Sequence, residues 1–315
     1  MSDTRVPSRV FRGAKQEAET VKSGISTPQT ENPAYRLAFQ DMDFLLREDL
    51  RPVRFQLELL KPQLLLDEAN IGSTFVFYGS ARIPEPAKAQ AMLEAAQGEE
   101  ARKVAQSLVD KSKYYEVARE LARMVSQLPR DEEGKRQFVV CSGGGPSIME
   151  AANRGAADVG EESVGLNIVL PHEQAPNPYV TPALSMQFHY FALRKMHFLL
   201  HARALAAFPG GFGTFDELFE LLTLIQTGKI DPIPVLLYGK DFWGRVVNFE
   251  ALCEEGVISP RDLDIFTIVE TAEEGWNVVK DFYRRRREAE QSIETASEHS
   301  RHTHEAQAPM ERREG

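Results

Sequence analysis

Short apolar runs alternate with amphipathic stretches along most of this chain, and that alternation constrains the fold more than any single motif. The runs are TFVFY at 74–78, QFVVC at 137–141, SVGLNIVL at 163–170, RALAAF at 203–208, PVLLY at 234–238 and DIFTIV at 264–269. Their near-continuous apolar character suits strands buried on both faces. Helices are predicted near 54–69, 112–128, 146–158, 190–202, 214–227, 241–254 and 271–287. Strand then helix, repeated, predicts an α/β fold: a Rossmann-like, doubly wound parallel sheet with helices on both faces. Residues 85–111, rich in Ala, Glu, Gln and Lys, read as an extra helical excursion inside the first crossover.

The two ends lack this pattern. Residues 1–36 are polar and without an apolar period, which predicts a flexible arm, and 291–315 hold almost no large apolar residues, which predicts a disordered tail. A single domain is expected between them, over 37–290. Three histidines of the tail, His299, His302 and His304, lack the preorganisation a metal site needs. Arg284 to Arg287 form a basic run at the end of a predicted helix, where cations complement the dipole; anion binding is the other reading.

Charge and cysteine content narrow the class. Lys plus Arg number 37 against 47 Asp plus Glu, a formal net charge of -10, which argues against a general binder of nucleic acid or anionic membranes but allows a local basic pocket. The two cysteines, Cys141 and Cys253, supply neither a disulfide framework nor a cysteine-rich zinc site. No apolar run approaches a membrane span, and the N-terminus has no apolar core like a signal peptide's. A soluble, cytoplasmic protein is expected.

In doubly wound sheets, ligands bind beyond the carboxyl ends of the strands, so the turns after the strands carry the functional information. After Phe208 comes Pro209-Gly210-Gly211-Phe212-Gly213-Thr214-Phe215-Asp216-Glu217, leading into a helix. Its glycines let backbone amides approach an anion at the helix N-terminus. The alternative is local: Thr214-x-x-Glu217 has the form of a capping box. After Cys141 comes a similar turn, Ser142-Gly143-Gly144-Gly145-Pro146-Ser147-Ile148-Met149-Glu150, with Ser147-x-x-Glu150 open to the same two readings. Neither is a Walker loop or a complete G-x-G-x-x-G, so ATPase and dinucleotide readings are weak.

Two further turns are less specific. Gly79-Ser80-Ala81-Arg82 suits a phosphate or nucleotide, or is a plain surface turn. Pro171-His172-Glu173 offers a carboxylate to a base or ribose, or to solvent. His197 and His201 stand at i and i+4 on a predicted helix, but no H-E-x-x-H glutamate accompanies them, so core or boundary positions are favoured. Arg194-Lys195, on the same helix, reads as a source of positive charge for the later glycine turn or as a solvated pair.

The ordered combination of Gly79-Ser80, Gly143-Gly144-Gly145-Pro146 with Met149-Glu150, Leu193-Arg194-Lys195 and Pro209 to Glu217 resembles the LOG ("lonely guy") family of nucleoside 5'-monophosphate phosphoribohydrolases. The resemblance spans roughly 70–285. It implies release of a free base and ribose 5-phosphate from AMP or cytokinin riboside monophosphates, with Arg194 and Glu217 as the catalytic pair. Substrate contacts are expected from Gly79, Ser80, Gly143, Gly144, Gly145, Glu150, Glu173, Lys195, Pro209, Gly210, Gly211, Gly213, Thr214 and Asp216. The chain departs from short plant members at 85–111 and at Phe212, where they usually carry Tyr. No pyridoxal phosphate site is evident, and no cofactor or metal is expected. A homo-oligomer, dimer or hexamer, is the expected assembly. The competing reading is a non-catalytic nucleotide or molybdenum-cofactor carrier on the same fold.

Overall fold

A computed structural model describes residues 12–22, 24–171 and 175–306. Contacts divide the chain into two compact units, with the boundary between Leu60 and Lys61.

The first unit carries short helices α1 (Ala14–Lys22), α2 (Pro28–Glu31) and α3 (Met42–Leu45), and the boundary falls inside α4 (Arg51–Glu68). Thr27 and Thr30 form a reciprocal capping box at the start of α2. Arg54 donates to the carbonyls of Leu45 and Arg47 at 2.8 and 2.6 Å, which ties α4 to the segment before it. Among the described residues two α-helices and one 3-10 helix, Pro33–Tyr35, therefore lie within the stretch expected to be an arm.

The second unit is built on seven parallel strands: β1 (Thr74–Tyr78), β2 (Val139–Ser142), β3 (Val164–Ile168), β4 (Ser185–Phe188), β5 (Ala202–Ala207), β6 (Val235–Tyr238) and β7 (Phe266–Val269). Their order is β4-β3-β2-β1-β5-β6-β7, and every neighbouring pair is parallel. This is the doubly wound parallel sheet that the apolar runs predict. Strand β4, SMQF, was not among them: it is a short edge strand with only alternate residues fully buried, so no apolar run announces it.

The connecting helices are α5 (Pro86–Ala95), α6 (Glu99–Ser126), α7 (Ile148–Ala157), α8 (Phe191–Leu200), α9 (Phe212–Gln226), α10 (Lys240–Val246), α11 (Phe249–Glu254) and α12 (Ala272–Ala306). The excursion at 85–111 is helical, as α5 and the first half of α6. The helix predicted over 241–254 is two helices, because the Asn248 side chain accepts from the Ala251 amide at 3.1 Å and caps a new start. Helix α12 continues through 291–306, part of the stretch expected to be a tail.

The core lies where the sheet meets its helices. Phe75, Val76 and Phe77 of β1 are wholly buried. Phe77 stacks on Phe208 with ring centroids 6.3 Å apart, and Phe208 stacks on Tyr238 at 4.4 Å, so aromatic rings bridge β1, the end of β5 and β6. Among the described residues no helix is long and apolar enough to cross a membrane.

The strand order reverses at β1. Connections run from β1 outward to β4, then return to its other side at β5. The ends of β1 and β5 are joined there: the Phe208 amide donates to Tyr78 O at 2.8 Å, and the Ser80 amide donates to Pro209 O at 3.1 Å. Such a switch point opens a crevice beyond the strand ends.

Candidate active site

A cavity of about 850 Å³ occupies that crevice. Four of its walls are the turn after β1 (Gly79, Ser80, Arg82), the turn after β2 (Gly143), helix α8 (Arg194) and the start of α9 (Gly211, Gly213, Thr214, Glu217). Apolar groups, Ile168, Leu170, Phe191, Phe212 and Val246 among them, complete it.

Helix α9 starts at Phe212 with Gly211 as its N-cap and no side-chain cap. Its first hydrogen bond runs from the Phe215 amide to Gly211 O at 3.1 Å, so the Phe212, Gly213 and Thr214 amides precede the helical ladder. Amides that no described residue bonds, at the positive end of a 15-residue helix and beside a cavity, favour an anion. The capping-box reading of this turn fails: Thr214 lies inside the first turn and is 6% exposed, packed against Gly210, and Glu217 is one turn further on.

Glu217 projects into the cavity and pairs with Arg194, whose Nη1 is 3.5 Å from Oε1; their side chains are 14% and 12% exposed. Burial pushes the Glu217 carboxyl up to about 7, against the pull of the Arg194 cation, with Asp216 adding to the rise. Arg194 is itself held at three points. Its Nε donates to Leu166 O of β3 at 2.7 Å, and its guanidinium lies 5.2 Å from the centre of the Phe198 ring. Phe198 packs edge-on against Tyr78 at the end of β1.

Gly143 makes room for this arginine: a Cβ there would stand 2.5 Å from Arg194 Nη2 and 2.9 Å from Met149 Sδ. Gly144, at φ +71, holds the left-handed backbone of the turn. Buried asparagines brace the same turn. Asn177 Nδ2 donates to Gly145 O at 3.0 Å and to Asn153 Oδ1 at 2.9 Å, while Ser142 Oγ donates to Asn153 Oδ1 at 2.7 Å. Sequence reasoning missed both. Asn153, one turn into α7 from the glycines, was the only available signal.

Other expected contacts are placed elsewhere. Lys195 points along α9 to Asp216 and Glu220, at 3.1 and 3.0 Å. Burial lowers its pKa, but these two carboxylates outweigh that and leave it raised. The three residues clamp α8 to α9 rather than lining the cavity. Glu150 accepts from Tyr115 Oη at 2.9 Å, facing α6, and Ser147 Oγ donates to Ala81 O, so the second capping-box reading fails as well. Gly144, Gly145, Pro209 and Gly210 shape the turns from behind. Glu173 lies outside the described residues. His197 is a core residue against Phe188, and His201 bonds Gln63, so neither stands at a metal site. Among the described residues no group of three or more His, Cys, Asp or Glu is arranged to hold a metal.

Residues 149–279 match a protein-family model described as "Possible lysine decarboxylase". Cytokinin riboside 5'-monophosphate phosphoribohydrolase LOG3 of Arabidopsis thaliana is 29% identical over 139 residues, 43% of this chain and 63% of that protein. The chain matches the LOG family. A second relative, pyrimidine/purine nucleotide 5'-monophosphate nucleosidase of Escherichia coli (strain K12), is 32% identical over 117 residues, 34% of this chain and 25% of that one. The chain thus spans less than two thirds of the length of these relatives. The solved structure of Moco Carrier Protein from Chlamydomonas reinhardtii aligns at 17% identity over 68% of this chain and 99% of that one, with a TM-score of 0.39. The matched LOG-family segment includes Arg194, Glu217 and the α9 turn, and begins just after the glycines of the β2 turn. Pyridoxal phosphate, which a lysine decarboxylase would need, does not fit this pocket. Among the described residues no lysine lines it, and Lys195 is committed to two carboxylates.

Proposed function

We propose that this chain hydrolyses the N-glycosidic bond of a nucleoside 5'-monophosphate, AMP or a cytokinin riboside 5'-monophosphate, giving the free base and ribose 5-phosphate. The observation that carries the reading is a near-neutral buried carboxylate, Glu217, within one helical turn of free amides suited to a phosphate. Breaking the bond from ribose C1' to the base nitrogen leaves the bonding pair on the base and positive charge on the ribose. A carboxylate beside that carbon lowers the barrier.

In this reading the 5'-phosphate sits on the Phe212, Gly213 and Thr214 amides, with Arg82 on the facing wall. Water adds to C1' as the bond to the base breaks; its proton passes to Glu217 and then, through solvent, to the departing base, which restores the carboxylate. A base that titrates near neutrality is well matched to that task. The Arg194 guanidinium orients Glu217 and moderates its pKa. The apolar residues at the mouth take the base.

The reading also includes a cytoplasmic homo-oligomer. Phe212 is 97% exposed at the cavity mouth, and Phe191, Met196 and Leu200 of α8 are exposed nearby in the sequence, which supports a second copy against this face.

Incubating purified protein with a panel of nucleoside monophosphates, without added cofactor, tests the function by chromatography. Adenine and ribose 5-phosphate are expected from AMP. Intact nucleotides across the panel would overturn the reading in favour of a carrier.

A further inference from the structure

The basic run at 284–287 has no role in the switch-point pocket, and the structure removes its simplest explanation. Helix α12 does not end there; it continues to Ala306, so these arginines lie mid-helix, where a helix C-terminus offers nothing to complement. Three of them, Arg284, Arg286 and Arg287, line instead a cavity of about 970 Å³ at the opposite ends of the strands, together with residues preceding β1 and β2, Arg203 at the start of β5 and further residues of α12.

Two features distinguish this cavity. Its wall is aromatic: Phe138 meets Trp276 and Tyr283 edge-on, with ring centroids 5.8 and 5.7 Å apart. Phe138 takes a left-handed backbone, φ +56, held by its amide donating to Ser73 Oγ at 2.9 Å. A bulky residue rarely adopts this conformation, and such strain gathers at ligand sites. Its rim is cationic. Among the described residues Arg203, Lys280, Arg284, Arg286 and Arg287 line it against only Asp281 and Glu290, in a chain whose net charge is -10.

Part of that charge is already neutralised. Arg284 pairs with Asp281 and Glu288, and Arg286 with Asp231 and Glu290. Among the described residues no ion pair engages Arg203, Lys280 or Arg287. Trp276, Lys280, Tyr283 and Arg287 recur at i, i+4, i+7 and i+11, a single stripe of α12 that presents rings and cations together. Phosphate answers guanidinium and ammonium groups, and a planar ring answers an aromatic wall.

We propose that this cavity binds a phosphorylated aromatic ligand of the nucleotide class, its ring against Phe138, Trp276 and Tyr283 and its phosphates against Lys280, Arg287 and Arg203. The site is separate from the switch-point pocket. Strand β5 and its following turn run from Arg203 at one to Pro209 at the other, roughly 20 Å at about 3.3 Å per residue.

Trp276 provides the readout, since the chain's other tryptophan, Trp243, is fully buried. ADP titrated into the full-length protein is expected to quench Trp276 fluorescence saturably at submillimolar concentration. The quench should vanish in Trp276→Phe. In the Lys280→Ala/Arg287→Ala double variant the apparent Kd should rise at least tenfold with an unchanged Tm. ADP seated only in the switch-point pocket would be indifferent to Lys280 and Arg287. No saturable quench, or one retained in the double variant, would overturn the site. Pyrophosphate alone binding as tightly as ADP would overturn the nucleotide assignment.

Discussion

Arg194 Nη1 lies 3.5 Å from Glu217 Oε1, an ion-pair distance too long for a strong charged hydrogen bond, in a place where neither side chain is more than 14% exposed. The pair is close enough for the cation to moderate the carboxyl and loose enough to leave its oxygens for a reacting water. Burial is the larger effect, and it leaves Glu217 poised at about 7.

Replacing Glu217 with Gln keeps the shape and removes the proton acceptor. A loss of kcat on AMP of 10²–10⁴-fold is expected, the usual contribution of a positioned acid or base. A loss below tenfold, about 1.4 kcal/mol of barrier, would contradict a direct chemical role.

Because Glu217 must be ionised to accept a proton, kcat/KM on AMP should rise with pH along a limb near 7, and Glu217→Gln should flatten it. The stability sign is opposite. A carboxyl whose pKa is raised by folding opposes folding when ionised, a penalty relieved as pH falls from 7 towards the ordinary value of 4.5. The Tm of Glu217→Gln, measured against the parent protein, should therefore gain ground as pH is raised from 5 to 8.

Arg194→Gln removes the cation paired with Glu217 while keeping a donor for Leu166 O. The limb should move to higher pH, and the loss of activity at pH 7 should be partly recovered at pH 8.5. A limb that stays in place would mean that Arg194 acts on the substrate and not on the carboxyl.

Gly143→Ala tests the packing that aims Arg194. The added methyl meets the ends of two flexible side chains, Arg194 and Met149, so the fold should lose no more than about 1–3 kcal/mol. Activity should fall at least tenfold, because the guanidinium has to move. Unchanged kinetics would show that its position is not critical.

Asn177→Ala leaves Gly145 O without its side-chain donor and Asn153 short of one partner. About 1–3 kcal/mol is expected for buried groups so deprived, lowering Tm by several degrees. The readout is thermal unfolding, with kcat/KM following the loosened turn.

Most strands that could be read from sequence are buried on both faces, because an apolar run such as TFVFY has few other uses; the edge strand β7 was legible as well, since its run DIFTIV is apolar although only Val269 is fully buried. Strand β4 escaped because only Met186 and Phe188 of SMQF are apolar, and two alternate residues make no pattern. The glycine turns announced themselves through composition, and Arg194 and Glu217 through resemblance. Glu150 shows the limit of motif reading: it follows the glycines as expected, but its carboxylate accepts from Tyr115 on α6. Lys195 likewise neighbours Arg194 in sequence and leaves the helix toward different partners. One step along a helix turns a side chain about 100°, and which face meets the cavity is decided by packing that no local pattern records.

The joining of β1 and β5 at the switch point bears on how such a pocket can diversify. The groups assigned to phosphate and chemistry, on α9 and α8, are pinned to the central strands through Pro209, Phe198 and the Leu166 carbonyl. Those assigned to the base, Leu170, Phe191, Phe212 and Val246, come from four separate elements at the rim, and the Phe191 and Phe212 side chains are more than half exposed. Altering which base is accepted is thus a change of upholstery on a fixed frame, open to single substitutions that leave the bond-breaking end as it is.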